Sequence, residues 1–246
     1  MSAISFAKAD LPIRSDLIEA HERAWRAIAR PGTWLTGERR VAVAAEVRHA
    51  LGCAYCVRIK AALSPKAVQG THDTLGRLRP AEAELVHRVV NDPGRLSESW
   101  ANSVLARGVS DGEYIEIVGL IAMVMIMDTC MLALGLPLRD LPKPAAGEPT
   151  RYRPAGAKKQ AAWLPLTEPE DASAADGPMY PSPKAGYIYR ALSLVPQTLR
   201  DYWALASVHY LPGQYVYQFD KSIRAISRPQ TEILAARVSA MHQCVY

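Results

Sequence analysis

Residues 46–60 read EVRHALGCAYCVRIK and place a Cys-x-x-Cys pair inside a stretch with helical patterning. Gly52 predicts a bend directly before Cys53, and one or two further helical turns then carry Cys56 and Lys60. Cysteines three residues apart on a helical turn bring their sulfurs close enough to form a disulfide. The stretch therefore predicts a bent helical hairpin that holds a redox-capable dithiol.

Helical patterning extends from this hairpin in both directions. Apolar residues recur at helical spacing after Ser15, and Pro31 and Gly32 end that pattern. No segment has the alternation typical of a strand, so the predicted fold class is all-α. The predicted N-terminal helices cover residues 15–29, 36–50, 80–90, 97–107 and 111–134.

The most apolar run of the chain, residues 117–138, has the composition of a membrane span. Asp128 divides it into two pieces, each too short to cross about 30 Å of hydrocarbon. We therefore expect a buried core helix, with Cys130 as a small core residue, and no membrane partner.

The chain changes character at residue 142. Residues 142–183 are rich in Pro, Gly and Ala, which is typical of a linker, although the WLPL motif at 163–166 is expected to dock on a folded unit. Helical patterning then resumes, and residues 231–246, TEILAARVSAMHQCVY, repeat part of the first hairpin. The predicted units are 1–141 and 184–246, the second a shortened copy. We expect a longer natural form to continue with a cysteine after Tyr246.

Composition indicates a globular protein. The 246 residues are 49% apolar and 22% charged, and 29 basic against 24 acidic residues give a net charge of +5. Because the arginines are scattered along the chain, nucleic-acid binding is not expected. Four cysteines with one Cys-x-x-Cys and no signal-peptide pattern predict a reducing compartment, the cytoplasm.

The pattern around Cys53 and Cys56 resembles the AhpD and carboxymuconolactone decarboxylase superfamily. The resemblance extends to RALSLVP at 190–196 and EILAARVSAMHQC at 232–244, and so covers most of the chain outside the linker. It implies an AhpD-like helical bundle, two repeated units and a homo-oligomer. It also implies a peroxidase without metal or other cofactor, acting on a small-molecule peroxide and reduced by a thiol protein.

In the peroxidases of that superfamily the second cysteine attacks the peroxide, the first resolves it as a disulfide, and a glutamate and a histidine relay protons. Cys56 and Cys53 match the two cysteine positions. Val41 and Lys60 stand where the family has its glutamate and its histidine, and Glu46 is the nearest acid on the preceding helix.

In the C-terminal copy, Glu232 matches the family glutamate and Cys244 the first cysteine. That copy ends before a second cysteine, so it cannot perform the dithiol reaction alone. The candidate catalytic residues are Cys53, Cys56, Glu46, Lys60, Glu232 and Cys244.

The chemistry also follows from the residues themselves. A free thiol with a pKa of about 8.5 is mostly protonated at neutral pH, whereas one at a helix start beside Lys or Arg has a pKa of about 3.5–7.5. Lys60 lies one turn after Cys56, and Arg58 is nearby. Such a pair can reduce a peroxide through a sulfenic acid or exchange with another dithiol.

Other interpretations of the same residues stay open. The dithiol could be a relic in a structural hairpin, or it could bind a metal together with His49, although a fourth ligand is lacking in the sequence. Lys60 could be a solvated charge, and Glu46 could pair with Arg48 or Arg39. His72, His87 and His209 show no convergent partners and are assigned structural roles.

Two other functions are also consistent with the fold. The first is a non-redox decarboxylase-like reaction on a small carboxylated substrate held by arginines. The second is a non-catalytic helical module that serves oligomerisation.

Overall fold

The computed structural model describes residues 6–241 and residue 244, without the side chain of Ala7. In this part of the chain every regular element is helical, apart from one isolated bridge between Lys158 and Leu166. The prediction of an all-α fold is confirmed, whereas the AhpD-like bundle and the repeat stay predictions. The α-helices are α1 (Ser15–Ala29), α2 (Gly37–Ala50), α3 (Ala54–Ala61), α4 (Pro80–Asn91), α5 (Glu98–Ala106), α6 (Asp111–Ala133), α7 (Tyr187–Arg190), α8 (Pro196–His209) and α9 (Arg228–Met241).

Helix α6 is the central element of the bundle, packed against α2, α4 and α8. Ser110 caps its first turn and Glu113 completes a capping box. By length and composition α6 could cross a membrane, but 61% of its most apolar 18-residue window is buried inside the protein. Leu120 and Met123 are fully buried in the main core, and each contributes about 1.5–3 kcal/mol by leaving water. Its packing is that of a core helix.

Residues 142–183 contain no α-helix, but they pack closely against the N-terminal helices. The Ala145 amide donates to Ala29 at 2.8 Å, and the Arg151 amide donates to Thr33 at 2.8 Å. Leu164 and Leu166 are buried, as predicted for the WLPL motif. The segment therefore belongs to the body of the protein.

The C-terminal helices differ in their packing. Helix α8 packs against α1 and α6, and Leu199 and Leu205 belong to the same core as α6. Helix α9 is mostly exposed, with Ile233 at 68% and Leu234 at 58% exposure. The predicted helical patterning near the C-terminus is therefore confirmed for residues 228–241.

A cluster of charged side chains joins α2, α4 and the start of α6. Arg39 and Arg79 lie 2.9 and 3.0 Å from Glu113, and both also pair with Glu82. Burial opposes ionisation of Glu113, but the Ser110 amide and the two guanidinium groups lower its pKa to about 2. The cluster therefore stabilises the fold only while Glu113 is ionised.

We expect this cluster to make the fold sensitive to acid. The pKa of Glu113 lies below its ordinary value of 4.5, so its contribution to stability is complete above that pH and is lost as the pH falls towards 2. Glu113→Gln should therefore lower the free energy of unfolding more at about pH 6 than at about pH 3. Urea unfolding of both proteins at the two pH values measures this difference, and an equal loss at both would contradict it.

Candidate functional site

The two cysteines lie at the start of α3, directly after the bend that the sequence predicts. Helix α2 ends at Ala50, and the Gly52 amide donates to His49 at 3.1 Å within the turn. Cys53 is the N-cap of α3, where the helix dipole favours a thiolate, and Cys56 is in the first turn. Both side chains are only 1% exposed. The dithiol is thus held at a helix N-terminus, beneath the surface.

Two imidazoles contact these sulfurs. Cys56 Sγ lies 3.3 Å from His87 Nδ1 and 3.3 Å from His72 Nδ1, and Cys53 Sγ lies 3.8 Å from His72 Nδ1. His87 comes from α4 and is fully buried, whereas His72 comes from the loop between α3 and α4. The prediction that His72 and His87 have no convergent partners is therefore wrong. His209 instead contacts His21, with Nε2 atoms 2.9 Å apart.

Each imidazole is backed by a carboxylate. His87 Nε2 lies 2.9 Å from Glu46 Oε1, and His72 Nε2 lies 2.9 Å from Glu84 Oε2. The second oxygen of Glu46 accepts the Leu75 amide at 3.1 Å. The second oxygen of Glu84 accepts the Trp100 indole N–H at 2.9 Å. These contacts fix the orientation of both rings.

Glu46 therefore lies next to the dithiol and is linked to Cys56 through His87. It is fully buried at the end of α2. The two arginines proposed as its partners are engaged elsewhere, Arg48 with Asp128 and Arg39 with Glu82. The interpretation of Glu46 as a partner of either arginine is wrong.

The thiols have opposite acidities. Burial opposes a thiolate at Cys53, but hydrogen bonds from the Cys56 amide and from His72 lower its pKa to about 6. Burial, the Cys53 side chain and its charge raise the pKa of Cys56 to about 12. Burial also works against a charged His72, but its hydrogen bonds to Glu84 and Cys53 raise its pKa. Two neighbouring thiols thus share a single proton at neutral pH.

The loop between α3 and α4 covers the dithiol. The Tyr55 hydroxyl donates to Val68 at 3.1 Å, and the Tyr55 ring packs edge-on against His72. Gly70 has a φ of +146°, and a Cβ there would lie 2.6 Å from Arg58 Nη2 and 2.8 Å from the Tyr55 ring. These contacts hold the loop against the start of α3, where the buried sulfurs lie.

The other candidate residues lie apart from the dithiol. Lys60 is exposed on α3. Glu232 on α9 pairs with Arg228 and accepts the Tyr210 hydroxyl at 2.7 Å. Cys244 is exposed and free. Tyr246, and with it the expected continuation of the repeat, lies outside the described residues.

The four ligand atoms of Cys53, Cys56, His72 and His87 all lie within 4.8 Å of one another, a spacing that could hold a metal ion. His49 does not belong to this group, since its Nε2 lies 3.3 Å from Asp73. The metal interpretation therefore keeps Cys53 and Cys56 as ligands, but His72 and His87 take the place of the predicted His49 and supply the fourth ligand.

Comparison of the chain with protein-family models, with curated proteins and with solved structures gave no match. The resemblance to the AhpD superfamily therefore stays a prediction, and the function must be argued from the geometry of the dithiol.

Proposed function

We propose that the protein is a thiol-dependent, peroxidase-like oxidoreductase that reduces a small hydroperoxide with Cys53 and Cys56. The observation that carries this proposal is the chain of contacts from Cys56 through His87 to Glu46. A nucleophile, a base within reach and a third group that orients the base form the arrangement that activates catalytic thiols. The resemblance stated above implies the same chemistry at the same two cysteines.

The first step is a proton transfer followed by attack. With its Nε2–H donated to Glu46, His87 keeps a lone pair on Nδ1 and accepts the Cys56 proton. The Cys56 thiolate then attacks one peroxide oxygen and the O–O bond breaks. The leaving oxygen takes the proton from His87 and departs as water or an alcohol, and Cys56 becomes a sulfenic acid.

The second step forms the disulfide. The Cys53 thiolate attacks the Cys56 sulfur, the S–O bond breaks, and the leaving hydroxide takes a proton from protonated His72 or from solvent and departs as water. The pair loses two electrons, which equals the two electrons gained by the peroxide. A dithiol reductant then returns two electrons and two protons. The lowered pKa of Cys53 supports its role as the resolving thiolate.

The proposal extends to the compartment. All four cysteines are free. A dithiol that cycles needs a reducing environment, which supports the predicted cytoplasmic location.

Steady-state consumption of hydrogen peroxide, with dithiothreitol as the reductant, tests this function. We expect turnover by the reduced protein and its loss after alkylation of Cys53 and Cys56. An activity that survives alkylation would indicate a non-redox reaction. No peroxide consumption even before alkylation would indicate a non-catalytic module. Either result would reject the proposal. Since the thiols are buried, alkylation is carried out in mild denaturant and the reagent is removed before refolding, with a mock-treated sample as control.

A further inference from the structure

We propose that Cys53, Cys56, His72 and His87 form a tetrahedral site for a single Zn²⁺ ion. The geometry points to this because the four ligand atoms all lie within 4.8 Å of one another. In a tetrahedron with Zn–S of about 2.3 Å and Zn–N of about 2.0–2.1 Å, neighbouring ligand atoms lie roughly 3.3–3.8 Å apart. Three of the four sulfur-to-nitrogen distances are 3.3, 3.3 and 3.8 Å, and the fourth, from Cys53 to His87, is within 4.8 Å.

The surroundings of both histidines also fit a metal site. A zinc-bound imidazole usually donates its other N–H to a carboxylate, which sets its tautomer and orientation. Glu46 and Glu84 accept in this way from His87 and His72, each at 2.9 Å. In the neutral tautomers set by these bonds Nδ1 is the ring atom that carries the lone pair and faces the sulfurs, and the proton that His72 donates to Cys53 in the metal-free protein is released when zinc binds.

The carboxylates are themselves held in place. Glu46 accepts the Leu75 amide and Glu84 accepts the Trp100 indole N–H. Each imidazole is thus held by a carboxylate, and each carboxylate by a further N–H donor. These two layers of hydrogen bonds give the pocket a fixed shape before an ion enters.

The chemistry of the ligands selects the ion. Two thiolates and two imidazoles in tetrahedral arrangement suit Zn²⁺, whereas Mg²⁺ and Ca²⁺ prefer six or more oxygen ligands. The double charge of Zn²⁺ also offsets the charges of two thiolates at a place where both side chains are 1% exposed. Four protein ligands leave no open position, which is the mark of a structural or storage site.

This inference does not depend on peroxide reduction, but the two uses of the sulfurs exclude each other. A disulfide removes both thiolate ligands, and a bound ion occupies the lone pairs that attack the peroxide. The zinc-bound form would therefore be a protected, inactive state of the dithiol. Its removal by a chelator would be required before turnover.

The test is a zinc titration of the reduced, metal-free protein in competition with a chromophoric chelator. We expect about one Zn²⁺ per chain and, with Co²⁺ as the probe, the visible absorption of a tetrahedral thiolate site. Cys56→Ser should weaken zinc binding by more than about 100-fold, and Glu84→Gln, which removes only a supporting carboxylate, by about 10–100-fold. Circular dichroism checks that each variant is folded.

Cys130→Ser is the matched control, because His21, Cys130 and His209 form a second group that could hold a metal. This variant should bind zinc as the wild type does. Loss of zinc in Cys130→Ser but not in Cys56→Ser would overturn the proposal, as would a wild type that binds no zinc.

A readout on the wild type covers the case in which Cys56→Ser fails to fold. In the mild denaturant that lets the reagent reach Cys53 and Cys56 in the metal-free protein, zinc should protect these two cysteines, but not Cys244, from alkylation, as mapped by mass spectrometry. Equal labelling of Cys53 and Cys56 with and without zinc would refute the site. None of these readouts involves peroxide, so failure of the zinc site and failure of the proposed enzyme function remain distinguishable.

Discussion

Cys56→Ser should abolish peroxide turnover, with a loss on the order of 10³-fold or more. The serine hydroxyl keeps its proton at neutral pH, and its oxygen cannot form the sulfenic acid that the reaction requires. His87 and Glu46 remain in place in this variant, so the loss reports on the sulfur itself. The measurement is steady-state peroxide consumption with dithiothreitol in metal-free protein.

Two further variants make this result specific. Cys53→Ser should still react once with peroxide and leave a sulfenic acid on Cys56 that a dimedone probe labels, because attack does not need the resolving thiol. Cys130→Ser should behave as the wild type, since Cys130 lies on α6 and is grouped with His21 and His209 and not with the dithiol. Wild-type turnover in folded Cys56→Ser would exclude Cys56 as the nucleophile.

Glu46→Gln should slow the oxidation of Cys56 by about 10²–10⁴-fold, the range that general acid–base catalysis contributes. The glutamine has the same shape and can still accept the N–H of His87, but it does not carry the negative charge that stabilises the imidazolium after proton transfer. The defect should therefore appear in the rate of reaction with peroxide and leave the reduction of the disulfide unchanged.

Glu84→Gln is the matched comparison for Glu46→Gln. It removes the carboxylate behind His72, while the Cys56–His87–Glu46 contacts remain. We expect a clearly smaller loss, measured by single-turnover kinetics in the same metal-free buffer. If the two variants are equally slow, His72 has the role assigned here to His87. If folded Glu46→Gln reacts as fast as the wild type, the proton relay is refuted.

Local sequence signals were sufficient for most of the helices. The first helix has the predicted bounds Ser15–Ala29, and α6 begins at Asp111 because Ser110 and Glu113 form its capping box. These signals involve residues only a few positions apart, so they can be recognised in the sequence alone. The packing of residues 142–183 was not predictable in the same way, since backbone contacts such as Ala145 to Ala29 leave no periodic pattern.

The dithiol could be predicted because both cysteines lie on one helical turn. The histidines could not, because His72 and His87 are 16 and 31 residues after Cys56 and reach it only through the packing of α4 and its preceding loop against α3. The resemblance directed attention to Val41 and Lys60, the positions of the family glutamate and histidine. In this chain a carboxylate and an imidazole come instead from Glu46 and His87.

The most direct test of the central claim is a single-turnover oxidation of reduced, metal-free protein with one equivalent of hydrogen peroxide. Peptide mass spectrometry then locates the product. We expect two thiols to disappear per peroxide and the Cys53 and Cys56 peptides to become linked by a disulfide. Oxidation confined to Cys130 or Cys244, with Cys53 and Cys56 still reduced, would contradict it.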